Sequence, residues 1–188
     1  MLQRSTAKIV NLPNIITATR VAAVPVLFFL LSDPSRGGSL IIAVLFAIAM
    51  ITDLFDGYLA RRYDSVTPLG RFMDPIADKL LINTAMIILV SLSRLDAWVA
   101  SLMIIRDFLV EGARATSASE GKLLAVSPWG KKKTFAQSIA LTALIIHYPL
   151  LGLNSHSIGM VLIYIALAIS LCSGIAYLRQ FYRLVIKK

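Results

Sequence analysis

A stretch without a single charged side chain, residues 134–178, constrains this chain more than any other feature. It contains 45 residues. As one helix it would measure about 68 Å at 1.5 Å per residue, roughly twice the ~30 Å hydrocarbon core of a bilayer. The stretch therefore has to fold back on itself, and the Pro- and Gly-containing segment 149–157 is typical of a turn. Two apolar helices are predicted, at about 134–150 and 157–181.

The composition of the whole chain also indicates a membrane protein. Hydrophobic residues make up 57% of the 188 positions and charged residues 15%, whereas soluble domains have about 45–50% and about 25%. These proportions exclude a disordered chain, a disulfide scaffold and an ordinary cytosolic enzyme. Four further apolar segments are predicted to span the membrane, at about 15–31, 39–62, 72–93 and 96–117.

Backbone groups in lipid must be hydrogen-bonded within their own segment, so the spans are expected to be helical. The predicted fold is therefore an all-α integral membrane protein with six transmembrane helices, built as one domain over residues 1–188. Residues 1–10 are expected to form a short helix on the membrane surface.

The basic residues indicate the orientation of these spans. With six spans, 17 of the 19 Lys and Arg residues fall on one side, and only Arg36 and Arg94 fall on the other. Since basic residues concentrate on the cytoplasmic side, both termini are predicted to be cytoplasmic, in the cell (inner) membrane. The net charge of +9 is then explained by topology, and no nucleic-acid partner is expected.

Four aspartates lie at the cytoplasmic ends of the second and third predicted spans. Asp53 and Asp56 are three residues apart, and Asp74 and Asp78 are four apart. Each spacing places two carboxylates on one face of a helix, and antiparallel neighbours can bring the two pairs together. Their repulsion requires a cation, and oxygen ligands suit Mg²⁺, Mn²⁺ or Ca²⁺. The absence of nearby His or Cys argues against zinc.

Small residues follow the first acidic pair. Gly57 and Ala60 lie close to the same helix face as Asp53 and leave room for a flat group such as a nucleobase. Arg61 follows directly and can pair with a phosphate. Asn14 and Thr17, three residues apart at the start of the first span, are candidates for polar lining of the nucleotide pocket, with helix capping as the alternative.

Residues 53–78 resemble the signature of the CDP-alcohol phosphotransferases, D-x2-D-G-x2-A-R-x8-G-x3-D-x3-D. The eight fixed positions are all present: Asp53, Asp56, Gly57, Ala60, Arg61, Gly70, Asp74 and Asp78. The resemblance implies six transmembrane helices, cytoplasmic termini and a homodimer. It also implies two divalent cations, Mg²⁺ or Mn²⁺, on the four aspartates, with Asp78 as the general base. Gly57, Ala60, Arg61, Thr67 and Gly70 would then bind CDP-diacylglycerol.

A second basic group points to the acceptor. Arg106 and Arg114 lie within the fourth predicted span, and Lys131 and Lys133 precede the fifth. Buried arginines of this kind favour a second anionic ligand, such as a phosphomonoester. The segment resembles the R-[DE]-x6-R and W-G-K-x-K-T patterns of the family's bacterial phosphatidylglycerophosphate synthases, with Asp107 where Glu is more usual and Ala113 where Leu is common. The resemblance implies glycerol 3-phosphate as acceptor, giving phosphatidylglycerophosphate and CMP.

Two alternatives remain open at this point. The first is the same chemistry with inositol phosphate, phosphatidylglycerol or serine as the acceptor. The second is a cation channel or transporter that uses the aspartates as an ion site. A channel predicts acidic residues along a path through the membrane, but the outer half of this chain offers only Asp33 and Asp96.

Overall fold

The protein is described here by a computed structural model that covers residues 22, 25, 26, 29–31, 35–63, 68–122, 128–150 and 152–186. Within these ranges the side chains of residues 53–63, 68–78, 128, 129 and 131 lie outside the description. Five long helices are followed by a π-helical turn: α1 (Arg36–Tyr63), α2 (Pro68–Ser91), α3 (Ala97–Ser119), α4 (Pro128–Ile146), α5 (Ser155–Phe181) and the turn Tyr182–Ile186.

The described residues confirm the all-α fold class. Every described position between 22 and 31 is helical as well, and the described part contains no β-structure beyond one bridge between Leu150 and Leu153. Each of the second to sixth predicted spans coincides with a helix. The largest shift is at α4, which begins at Pro128 rather than near 134 because its lysines belong to the helix.

The outward faces of these helices are apolar. Large side chains such as Ile41, Phe108 and Val161 are 63%, 66% and 59% exposed, which in water would be an aggregation surface and in lipid is the expected exterior. By length and composition alone, one described helix, Ser155–Val185, could cross a membrane, and Arg36–Thr52 and Lys79–Ser91 are shorter apolar helices. The chain is a membrane protein, while the count of six spans stays a prediction.

The chain divides into two compact units, Met1–Ile88 and Leu89–Lys188. In the first unit, α1 buries the stripe formed by Ile42, Phe46 and Met50, which recur every four residues on one side of the helix. Ser35 caps this helix, since its hydroxyl accepts a hydrogen bond from the Gly38 amide at 3.1 Å.

In the second unit, α3 and α5 run parallel, and two hydrogen bonds show it. The Tyr164 hydroxyl donates to the Asp96 carboxylate at 2.7 Å near the start of α3. About three-quarters of the way along the same helix, Arg114 donates to the Tyr177 hydroxyl at 2.8 Å. Residues later in α3 therefore contact residues later in α5, which means that the two helices are parallel. This is expected for two helices that are separated along the chain by one antiparallel helix.

The intervening helix, α4, runs antiparallel to α3. Lys133, near its start, pairs with Asp107 in the middle of α3. Near its end, the Ile145 carbonyl accepts a hydrogen bond from Arg94, which precedes α3. This arrangement brings the polar middle of α3 opposite the first turns of α4, where the sequence places its run of lysines.

The turns of this unit end the helices with defined hydrogen bonds. After α3, Gly121 has a positive φ of 68°, and the Lys122 amide donates back to the Ser117 carbonyl at 2.9 Å. This is a Schellman motif, in which glycine takes the left-handed position without a steric penalty. Asn154 caps α5 by accepting from the Ser157 amide at 3.1 Å.

Candidate active site

The predicted acidic residues lie on helical backbone. Asp53 and Asp56 belong to α1, and Asp74 and Asp78 belong to α2, so each pair occupies consecutive helical turns, as the spacing predicts. The donor set consists of carboxylates, which fits a hard divalent cation. Their side chains lie outside the described residues, and among the described side chains no group of three or more His, Cys, Asp or Glu could hold a metal ion.

Some of the other residues predicted to bind the nucleotide lie on described helical backbone, and the rest lie outside the described residues. The backbone of α1 carries Gly57, Ala60 and Arg61, and the backbone of α2 carries Gly70. Asn14, Thr17 and Thr67 lie outside the described residues. The role of each in binding CDP-diacylglycerol stays a prediction.

Three charged residues form a buried group that we call the cation cluster: Arg106, Asp107 and Lys133. The Lys133 ammonium donates to both carboxylate oxygens of Asp107, at 2.6 and 2.8 Å. The Arg106 Nη1 donates to the same carboxylate at 2.9 Å. The three side chains are only 12%, 10% and 5% exposed in the order Arg106, Asp107 and Lys133, so one buried carboxylate holds two cations together.

The Arg106 side chain also contacts α5. Its Nε donates to the Ser170 carbonyl at 2.9 Å, and its Nη2 donates to the Ser173 hydroxyl at 2.7 Å. Gly174 lies against the aliphatic part of the arginine, where a β-carbon would come within 3.0 Å of Cγ and Nε. The guanidinium is therefore held on one side by α5 and on the other by the Asp107 carboxylate of α3.

Arg114 lies two turns further along α3, about 12 Å from Arg106 at 1.5 Å per residue. Its guanidinium carbon is 4.9 Å from the centroid of the Tyr177 ring, and its Nη2 donates to the hydroxyl of the same tyrosine at 2.8 Å. Tyr177 is 2% exposed. The contact combines a cation–π interaction with a hydrogen bond and restrains a long side chain at the end of the bundle.

The structure thus brings together some of the residues predicted to bind the acceptor. Arg106 and Lys133 meet at Asp107, whereas Arg114 lies two turns further along α3 and donates to Tyr177 of α5. The side chain of Lys131 lies outside the described residues. Two cations and one carboxylate leave a net positive charge in the cation cluster, to which an anionic group such as a phosphate is complementary.

Sequence reasoning missed the residues that hold these cations. The sequence marks Asp107 only as an unusual residue at its position, and it predicts an apolar span that contains Ser173, Gly174 and Tyr177. A signal was present in the sequence of α5, where Ser170, Ser173, Gly174 and Tyr177 are spaced by three or four positions among large apolar residues. In a helix this spacing marks one face, here the face turned toward α3.

Comparison with known proteins places these features in a family. A sequence model of the CDP-alcohol phosphatidyltransferase family matches residues 10–172. The matched segment contains both acidic pairs and the cation cluster, and it ends one residue before Ser173.

Similar proteins are known from distant bacteria. A protein of Bacillus subtilis (strain 168) is 38% identical over 179 residues, which cover 89% of this chain and 93% of the relative. One from Rickettsia bellii (strain RML369-C) is 38% identical over 175 residues, covering 90% and 94%. Both are named CDP-diacylglycerol–glycerol-3-phosphate 3-phosphatidyltransferase. A Mycobacterium tuberculosis (strain H37Rv) protein named probable phosphatidylglycerophosphate synthase is 38% identical over 182 residues, covering 94% and 84%.

Proposed function

Because the chain belongs to the CDP-alcohol phosphatidyltransferase family, we propose that it transfers the phosphatidyl group of CDP-diacylglycerol to glycerol 3-phosphate. The products are phosphatidylglycerophosphate and CMP. The proposal is supported by the printed names of relatives that match nearly the full length of this chain. Retention of every fixed position of the signature between Asp53 and Asp78 supports it independently.

On the nucleotide side, Asp53, Asp56, Asp74 and Asp78 would hold two divalent cations, Mg²⁺ or Mn²⁺. When bound, these ions supply charge neutralisation for the pyrophosphate and for the departing CMP. The residues proposed to bind the cytidine and phosphates of CDP-diacylglycerol are Asn14, Thr17, Gly57, Ala60, Arg61, Thr67 and Gly70. Within this set, Arg61 contributes a fixed positive charge for a phosphate.

In the proposed reaction the primary hydroxyl of glycerol 3-phosphate attacks the phosphorus that carries the diacylglycerol. The new bond joins that oxygen to phosphorus, and the bond between this phosphorus and the bridging oxygen of CMP breaks. Asp78 accepts the hydroxyl proton as general base. CMP leaves with the electron pair of the broken bond, so charge and protons balance.

On the acceptor side, Arg106, Arg114, Lys131 and Lys133 are proposed to bind the phosphate of glycerol 3-phosphate. The observation that carries this assignment is the cation cluster, in which two basic side chains converge on one buried carboxylate at 2.6–2.9 Å. Cations brought together at such an energetic cost in a membrane protein favour a functional site over a surface charge. The net positive charge matches an acceptor that carries a phosphomonoester.

We further propose that the chain crosses the cell (inner) membrane six times as a homodimer, with both termini and the active site facing the cytoplasm. This orientation is supported by the distribution of Lys and Arg, since 17 would lie on the cytoplasmic side and two on the outer side. A cytoplasmic site gives access to both proposed water-soluble compounds, glycerol 3-phosphate and CMP.

The test is CMP release by purified protein with CDP-diacylglycerol, Mg²⁺ or Mn²⁺, and a panel of acceptors. We expect turnover with glycerol 3-phosphate and none with inositol phosphate, phosphatidylglycerol or serine. Asp78→Asn should retain the fold and lose at least about 100-fold in kcat, since a general base contributes roughly 10²–10⁴-fold. EDTA should abolish activity, and added Mg²⁺ or Mn²⁺ should restore it. Turnover with a different acceptor only, or no turnover at all, would refute the proposed function.

A further inference from the structure

The guanidinium of Arg106 lies across the face of α5 and is held there by neutral groups. The Ser170 carbonyl accepts from Nε at 2.9 Å, and the Ser173 hydroxyl accepts from Nη2 at 2.7 Å. We call Ser170, Ser173 and Gly174 the Arg106 seat. Its two acceptors carry no charge, so they orient the guanidinium without cancelling its positive charge. Among the described residues, the carboxylate in contact with Arg106 is that of Asp107, which is shared with Lys133.

Gly174 makes this arrangement possible sterically. A β-carbon at this position would lie 3.0 Å from both Cγ and Nε of Arg106, closer than nonbonded carbon atoms normally approach. A side chain at residue 174 would therefore displace the arginine from this position on α5 by a few tenths of an ångström. Gly112, on α3, differs from Gly174. A β-carbon at Gly112 would meet no atom within 4 Å, so an alanine would fit there.

The seat leaves part of the guanidinium available. Within the described part of the chain, three of its five N–H donors are directed to protein acceptors: Ser170, Ser173 and Asp107. One N–H on each terminal nitrogen remains, and the side chain is 12% exposed. These two N–H groups can donate to the oxygens of an anion such as a phosphate.

We infer that the Arg106 seat on α5 orients the remaining N–H groups of Arg106 toward the acceptor phosphate, which makes Ser173 and Gly174 positioning residues for the acceptor. The inference rests on the proposed function and extends it to a helix that neither the signature nor the acceptor-side pattern includes. Ser173 and Gly174 also lie beyond the family match, which ends at residue 172.

The experiment measures steady-state kinetics of Gly174→Ala and Ser173→Ala with both substrates varied. We expect KM for glycerol 3-phosphate to rise roughly tenfold in each variant, because a hydrogen bond to a charged group is weakened or misdirected. KM for CDP-diacylglycerol and kcat should stay within about twofold of the wild-type values, the pattern of a lost ground-state interaction. Ser173→Thr, which keeps the hydroxyl, should recover most of the affinity.

Two controls separate positioning from general packing. Gly112→Ala should behave as wild type. Gly159→Ala introduces a clash on α5 against Leu144, with a β-carbon 2.8 Å from its Cγ, and should lower thermal stability without changing KM for glycerol 3-phosphate. An equal rise in KM for glycerol 3-phosphate in Gly159→Ala would overturn the inference, because any disturbance of α5 would then weaken acceptor binding.

The outcomes distinguish this inference from the proposed function. Wild-type protein that turns over glycerol 3-phosphate, with unchanged KM in both seat variants, would overturn the seat and leave the function standing. Wild-type protein inactive with glycerol 3-phosphate would overturn both. If Gly174→Ala fails to fold, Ser173→Ala alone decides, since loss of one hydroxyl leaves the packing of α5 intact.

Discussion

Asp107 balances two cations inside the helical bundle. Its carboxylate is 2.6 Å from the Lys133 ammonium and 2.9 Å from the Arg106 guanidinium. A buried ion pair of this kind costs desolvation energy when it forms, and removing one member leaves the other charge buried without compensation. Asp107 is therefore expected to stabilise the fold as well as hold the two proposed acceptor-binding cations at a common point.

We expect Asp107→Asn to destabilise the protein by about 3 kcal/mol, at the lower end of the values found when one partner of a buried ion pair is removed. The measurement is thermal or denaturant-induced unfolding in detergent. Asp107→Glu keeps the charge and should retain most of the stability. The matched control is Glu120→Gln, at an exposed position just after α3, which should change little. An Asp107→Asn protein as stable as wild type would contradict a stabilising role for the cluster.

A second residue-level expectation concerns His147, in the turn after α4. Burial lowers the pKa of His147 below its ordinary value of 6.5, and the charges of Arg94 and His156 lower it further. The imidazole ring of His156 is 4.9 Å away and the Tyr148 ring 5.3 Å away. The unfolded chain therefore takes up this proton at a higher pH than the folded chain does.

Stability from His147 should be fully present above its ordinary pKa and should be lost as the pH falls through that value toward the lowered pKa of the folded state. Apparent Tm in detergent should thus fall as the pH drops through the ordinary value of 6.5. His147→Asn, which tolerates the positive φ of 60°, should show a smaller fall. An identical pH dependence in both proteins would show that other groups are responsible.

Among the elements, α4 and α5 lie close together where Gly159 faces Leu144. A β-carbon at Gly159 would lie 2.8 and 2.9 Å from Leu144 side-chain atoms and 3.0 Å from its backbone nitrogen. Leu144 is fully buried. Small residues at such crossings let helix backbones approach closely, and in lipid that van der Waals contact is a main source of helix association.

We expect Gly159→Ala to destabilise the protein by about 1–3 kcal/mol through overpacking. The double variant Gly159→Ala/Leu144→Ala should be more stable than the sum of the two single effects, because the shortened leucine makes room for the new methyl group. Unfolding measurements on all four proteins test this coupling. Strictly additive effects would mean that the two residues do not share one packing contact.

At the level of the whole molecule, the predicted topology places 17 of 19 basic residues in the cytoplasm. The described helices fit this arrangement, since α3 and α5 run parallel and α4 runs antiparallel between them. With that alternation, the ends of α3 and α5 and the start of α4 share one side. The same side carries the cation cluster and the run of lysines.

Cysteine accessibility tests the orientation. In a Cys172→Ser background, Gly37→Cys should react with a membrane-impermeant maleimide in intact cells, because it lies in the predicted outer turn. Ser119→Cys, at the end of α3, should react only after permeabilisation. Both positions are exposed, so burial does not limit the reaction. The reverse pattern would refute the proposed orientation.

Much of the fold could be predicted from the sequence because lipid leaves the backbone few choices. Residues 134–178 had to form a helical hairpin, and the turn lies at 147–154, within a few residues of the predicted position. Helix α4 begins at Pro128 instead of near 134, since a run of charged residues does not end this helix. Lys133 belongs to the helix, since its ammonium is satisfied by Asp107 rather than by water.

The sequence by itself determined the family, the helical class and the residue types of both candidate subsites, because these depend on composition, spacing and a fixed signature within one chain segment. Only the tertiary structure decided which residues hold Arg106 and Lys133 in place. Asp107, Ser173 and Gly174 act across 26 to 68 residues of chain, on Lys133 in one case and on Arg106 in the others. Such contacts depend on which helix faces pack together. The close packing of whole helices determines this, and no local sequence pattern does.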